Sequence, residues 1–273
     1  MRRKTIKNSI IFEGKGIHTG EYCKIILHPS EKDGIFFLKN DIEIPLSLEY
    51  VVDTDHGTTI GKDGISIRTI EHLTSCFFGL GIDNLLVEVD GSEIPILDGS
   101  SRIFCEKIMK TGFKEIKREK SIFKINGIFT FEEMGKFIGV RPSKRFSVTT
   151  IISYEHNSLF KDIFEFNDLS KYIEDVSKAR TFGVLKWKEK LSKKGLIKGG
   201  DYNNLLIYDD SKNINKKRYK NEVARHKCLD FLGDLSLLSI NVIGDFIIFR
   251  TGHSIHYKFF KLLKEREDLW SIT

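Results

Sequence analysis

The chain has 273 residues, 40% hydrophobic and 30% charged, with only 4 prolines, which excludes small disulfide scaffolds, collagen-like chains and disordered chains and allows one large domain or two of ordinary size. Lys and Arg number 44 against 38 Asp and Glu, a formal charge of +6; that suits an anionic ligand or an anionic membrane surface without selecting either. Four scattered cysteines, Cys23, Cys76, Cys105 and Cys228, form no C-x-x-C pair and fit a reducing cytoplasm better than a disulfide framework.

The N-terminal segment is basic, but its apolar stretch, Ile10-Ile11-Phe12, is too short for a signal-peptide core. No later run approaches the roughly 20 apolar residues of a membrane span. Short strands follow over residues 24–28, 34–38, 64–67 and 85–89, rich in β-branched and aromatic residues and bounded by turn formers. Between them lies a helix over 70–80, with Thr69 placed to cap it and Gly81 to stop it. A second helix spans 101–111, ended by Gly112.

The charged stretch 114–120 has no periodic apolar face and reads as a linker, dividing the chain into an N-terminal domain, 1–116, and a C-terminal domain, 117–273. An exposed helix end or hairpin is the alternative. The second half repeats the mixture, with strands near 122–131, 137–140, 147–153, 204–208 and 245–250 and helices near 168–175, 182–194 and 221–238. No sequence repeat between the halves is legible. The class is α+β. The polar, basic segment 212–218 reads as a surface loop, since it lacks the interleaved aromatics of a nucleic-acid patch.

The segment 221–238 is the most informative. On a wheel of about 100° per residue, Asp230, Asp234 and Lys227 fall within about 100° of His226, while Ala224, Cys228, Leu229, Phe231, Leu232, Leu235 and Leu238 fill much of the remainder. That is a largely buried helix with one ionisable stripe, and burying carboxylates beside a histidine is costly unless they are paired or bind a metal. His226 and Asp230, one turn apart, have the separation of two ligands of one ion. Asp234 is placed to orient a neighbour, and Gly233, on the same side, allows another backbone or a ligand to approach closely.

In Thr69-Ile70-Glu71-His72-Leu73, His72 offers a third ligand and Glu71 a base. The plainer reading is an acidic residue complementing the helix dipole beside an ordinary histidine. In Arg250-Thr251-Gly252-His253, a strand delivers a histidine that could act as a general acid with Asp234 fixing its protonated form, or could be an ordinary loop histidine.

Taken together, these segments resemble the zinc-dependent UDP-3-O-acyl-N-acetylglucosamine deacetylases of lipid A biosynthesis. The resemblance also includes Glu13-Gly14-Lys15-Gly16-Ile17-His18-Thr19-Gly20, Gly79-Leu80-Gly81-Ile82-Asp83-Asn84, Pro95-Ile96-Leu97-Asp98-Gly99-Ser100, Ala179-Arg180-Thr181-Phe182-Gly183, Gly195-Leu196 with Gly199-Gly200, and Gly252-His253-Ser254. It implies two similar two-layer sheet-and-helix domains with the active site between them. It further implies that His72, His226 and Asp230 bind zinc and leave a fourth position for water. Glu71 would match the general base and His253 the group that stabilises developing charge and protonates the departing amine. Asp234 would match the partner of His253, Thr181 the hydroxyl at the oxyanion, and Phe182 and Lys227 residues lying along the substrate. The chain departs from the family at His256, where Asn is frequent, and in the charged segment Trp187-Lys188-Glu189-Lys190, in a region that lines an acyl passage.

The expectation is therefore a cytoplasmic, monomeric zinc amidohydrolase acting on an acylated UDP-amino sugar, with at most peripheral membrane contact and no nucleic-acid partner. A zinc amidase of the same fold acting on another acetylated nucleotide sugar is one alternative. A basic nucleic-acid-binding protein with a structural His/Asp stripe is the other, and it would bind with a steep salt dependence.

Overall fold

Residues 2–153, 161–209 and 212–273 are described by a computed structural model of the chain. In the first half, strands β1 (Ile10–Lys15), β2 (Tyr22–Pro29), β3 (Ile35–Lys39), β4 (Ile42–Pro45) and β5 (Leu85–Asp90) form one sheet in the order β1-β2-β5-β3-β4. Only the β3–β5 pair is parallel. Helix α1 (Glu71–Leu80) precedes β5 and helix α2 (Arg102–Thr111) follows it.

The second half repeats this plan. Strands β6 (Phe129–Glu133), β7 (Lys136–Arg141), β8 (Ser147–Ser153), β9 (Lys161–Phe166) and β10 (Asp245–Phe249) are ordered β6-β7-β10-β8-β9, again with one parallel pair, β8–β10. Helix α3 (Glu222–Leu235) precedes β10 and helix α4 (His253–Glu265) follows it. Each half thus has four strands, an insertion, a helix, the central strand and a second helix. This is the two-domain α+β fold expected.

Alternation builds the sheets: β2 and β8 each bury every second side chain, the period-2 pattern of a sheet with one face in the core. The helices cover those faces. Phe104 of α2 packs on Phe12 of β1 at 4.9 Å between ring centroids, Phe231 of α3 on Phe246 of β10 at 5.3 Å, and Phe129 of β6 on Phe259 of α4 at 5.3 Å. The two helix layers then meet at α1 and α3. They approach closely at Gly233, where a Cβ would lie 2.3 Å from the carbonyl oxygen of Glu71; only a residue without a side chain fits there. Thr74 Oγ1 donates to the Gly233 carbonyl at 3.0 Å and Ser236 Oγ to the Thr74 carbonyl at 3.0 Å, so the helices are tied together where the ionisable stripe ends.

Several expectations need correction. Thr69 does not cap α1: its backbone is left-handed, φ 57°, and its hydroxyl donates to Glu93 at 2.7 Å. Gly81 does end the helix, in the left-handed conformation expected of it. The charged stretch 114–120 is mostly strand, Phe113–Glu119, paired antiparallel with Arg2–Ile6; exposed charges surround one buried residue, Ile116, and hid the alternation. The strand expected over 122–131 is two, Ile122–Ile125 and β6, and the helix expected over 182–194 is a short strand, Phe182–Val184, followed by a helix over Lys188–Lys193. His253 does not sit in a loop but opens α4. In the basic segment 212–218, Arg218 turns inward to Asp98 at 2.9 Å.

Candidate active site

The insertions between β4 and α1 and between β9 and α3 flank a cavity of about 460 Å³ that lies over the crossing of α1 and α3. Glu71 and His72 occupy the first turn of α1, and both side chains are buried. His226 and Asp230 come from successive turns of α3, as the stripe requires, with His226 Nε2 3.1 Å from Asp230 Oδ1. One ligand atom from each of His72, His226 and Asp230 lies within 4.8 Å of the others. The ring centroids of His72 and His226 are 5.1 Å apart.

The donor set fits a metal ion. A carbonyl can only accept, so the 3.2 Å contact of His226 Nδ1 with the Ala179 carbonyl puts the proton on Nδ1 and leaves the Nε2 lone pair free to coordinate. Burial, with His226 alongside, pushes the His72 pKa down to about 3, and burial likewise lowers that of His226; both rings are neutral, as ligands must be. For Asp230, burial opposes ionisation, but His226 and Lys227 outweigh it and hold the carboxyl well below its ordinary range. His72 Nδ1 is buried with no hydrogen-bond partner among the described residues. Two neutral imidazoles and a carboxylate converging on one point are a transition-metal donor set, with oxygen and nitrogen ligands at the spacing that zinc takes.

Around this cluster stand three further titratable groups, Glu71, His253 and Asp234. Glu71 Oε2 accepts from the Thr58 amide at 3.0 Å, and burial raises its pKa to about 7. His253 Nδ1 donates to Asp234 Oδ2 at 2.8 Å, which leaves Nε2 3.9 Å from Glu71 Oε1. Burial alone would lower the His253 pKa, but Asp234 and Glu71 outweigh it and raise it to about 9. Asp234, buried on α3, also accepts from the Thr58 hydroxyl at Oδ1 and from His256 Nδ1 at Oδ2, 2.7 Å.

Thr181 and Phe182 line the same cavity, as does Lys227. Lys227 Nζ reaches Asp230 Oδ2 at 2.8 Å and stands 5.6 Å from the Phe182 ring centroid, and that ring meets His226 edge-on at 6.2 Å. Beyond them the wall turns apolar, with Val184, Trp187, Leu191, Ile197 and Leu205, and the cationic Lys190 and Lys194 stand among them.

Eight of the nine residues singled out in the sequence line one cavity, and the ninth, Asp234, stands behind it bonded to His253; several others were missed. Thr58 bonds both Glu71 and Asp234 from a loop with no periodicity to mark it. Glu93, fully buried, holds the His18 and Thr19 amides and the Thr69 hydroxyl, so it shapes the cavity rim from beneath. His256 did have a signal: with Phe259, Phe260 and Leu263 it falls at i, i+3, i+4 and i+7, the apolar face of a helix.

Two sheet-and-helix layers closing on a His/His/Asp cluster that could hold a metal ion, with a buried glutamate and a carboxylate-bound histidine beside it, are an arrangement suited to metal-dependent hydrolysis. The family described as UDP-3-O-acyl N-acetylglycosamine deacetylase (LpxC) matches residues 3–265, and the chain belongs to that family. Proteins named UDP-3-O-acyl-N-acetylglucosamine deacetylase are similar along its whole length. That of Nautilia profundicola is 38% identical over all of this chain and 95% of its own. That of Thermodesulfovibrio yellowstonii is 40% identical over 96% of this chain and 92% of its own, and that of Myxococcus xanthus 35% over 99% and 89%. The chain is a deacetylase, and so an amide hydrolase.

Proposed function

We propose that the chain removes the acetyl group of UDP-3-O-acyl-N-acetylglucosamine in lipid A biosynthesis, releasing acetate and the free amine, with zinc held by His72, His226 and Asp230. One observation carries this reading: the ligand cluster, a buried carboxylate and a carboxylate-bound histidine all face a single cavity whose far wall is apolar.

An acetamide is a weak electrophile with a poor leaving group. When bound, zinc polarises the carbonyl and makes water nucleophilic near neutral pH. Glu71, fixed by the Thr58 amide, takes the proton from the attacking water as general base. Thr181 donates its hydroxyl to the oxygen on which negative charge develops. His253, charged through its bond to Asp234, also stabilises that charge and passes its Nε2 proton to the departing nitrogen, so that no amide anion has to leave. Phe182 and Lys227 lie along the sugar nucleotide, whose diphosphate suits the net charge of +6. The apolar wall at Val184, Trp187, Leu191 and Ile197 takes the 3-O-acyl chain.

No helix among the described residues is long and apolar enough to cross a membrane, and the reading has the chain working as a cytoplasmic monomer with at most peripheral membrane contact. Acetate release from the substrate with and without its 3-O-acyl chain tests it: the acylated sugar is turned over much faster. Equal rates would favour another acetylated nucleotide sugar as the substrate.

A further inference from the structure

Among the described residues, His256 is an ionisable side chain bonded to Asp234 that the proposed mechanism does not use. It is fully buried on α4, one turn after His253, and makes two bonds. Its Nδ1 lies 2.7 Å from Asp234 Oδ2 and its Nε2 2.8 Å from Thr251 Oγ1. Asp234 is ionised and can only accept, so Nδ1 carries the proton; Nε2 then accepts from the Thr251 hydroxyl. The ring is held edge-on against Phe231 at 5.3 Å. The oxygen that His256 grips is the same one that binds His253 Nδ1.

We infer that His256 is a positioning residue for the deacetylation reaction: as a neutral donor anchored by Thr251, it fixes the Asp234 carboxylate, which in turn aims His253 at the cavity. Thr58 holds the other oxygen. Without His256 the carboxylate loses one of its three side-chain donors and is held less firmly against rotation about its Cβ–Cγ bond. Groups that orient a functional side chain in this way are worth about 10- to 100-fold in activity.

The inference rests on the deacetylase reading, and two substitutions separate them. An asparagine amide can set an N–H at the position of Nδ1; leucine supplies none. His256→Leu is expected to lose at least about tenfold in kcat, with KM within about twofold and metal content unchanged, and His256→Asn to restore most of that loss. In an Asp234→Asn background His256→Leu is expected to cost little more, because both act through one carboxylate. Wild-type rates in His256→Leu, or an undiminished tenfold loss in the Asp234→Asn background, would overturn the inference while leaving the deacetylase reading in place. No acetate release from the wild-type enzyme would sink both. If His256→Leu does not fold, His256→Gln takes its place, since its amide reaches the Nε2 position and not the Nδ1 position; it should be slower than His256→Asn, and an equal rate would overturn the inference.

Discussion

Asp234 concentrates the demands of the site on one side chain. Burial would keep its carboxyl protonated, yet His253 and the bonds from both histidines hold it well below the ordinary range, so it stays an anion and keeps His253 a cation. His253 is competent as an acid only while protonated; the turnover rate should therefore fall as pH rises, with a midpoint near the raised value of about 9. Replacing Asp234 with Asn removes the largest influence that raises the His253 pKa. The midpoint in a pH–rate profile is expected to move down toward the ordinary 6.5, whereas an unmoved midpoint would mean that another group sets it. His253→Ala should keep its metal, because no ligand is touched, and lose about 100-fold or more in kcat; metal analysis together with steady-state kinetics checks both halves of that statement.

At the scale of elements, the crossing of α1 and α3 brings the proposed ligands together, and Gly233 sets its distance. A methyl group there would meet the Glu71 backbone, and the helices would have to part. Gly233→Ala should destabilise the fold by about 1–3 kcal/mol, as overpacking does, and should also lower metal occupancy by moving His72 away from His226 and Asp230; denaturant unfolding and metal analysis measure the two effects. Both helices were legible because each carries a residue pattern that a surface helix would not: Glu71-His72 opening an apolar run, and a charged stripe on a helix apolar almost all round. Helix α4 was not read, although Ile255, Phe259, Phe260 and Leu263 mark its buried face, because His253 and His256 interrupt the apolar pattern at its start. The strand over Phe113–Glu119 was lost for the opposite reason, a single buried isoleucine among charges. The hydrogen bonds of Thr58 and Glu93 join residues far apart in the chain, and no spacing within one element could disclose them.

Across the whole molecule, the same succession of strands, insertion, helix, central strand and helix occurs twice, although no repeat is legible in the residues themselves. Topology survives because it needs only alternation and a helical apolar face, and many sequences meet those conditions. The repeat also explains why the candidate site lies where it does: the helix before the central strand of each half meets its counterpart, each insertion falls beside that contact, and the proposed ligands are shared, His72 from one half and His226 and Asp230 from the other. A metal that bridges the halves in the folded chain should raise its thermal stability, so chelation is expected to lower Tm as well as activity, with zinc restoring both. The most direct test of the account follows acetate release from UDP-3-O-acyl-N-acetylglucosamine by the wild-type enzyme and by a His226→Ala, Asp230→Ala double variant, each before chelation, after it and after zinc is returned. The wild type should lose its activity and regain it, and the double variant should be inactive throughout. Full activity in the chelated wild type or in the double variant would contradict the account.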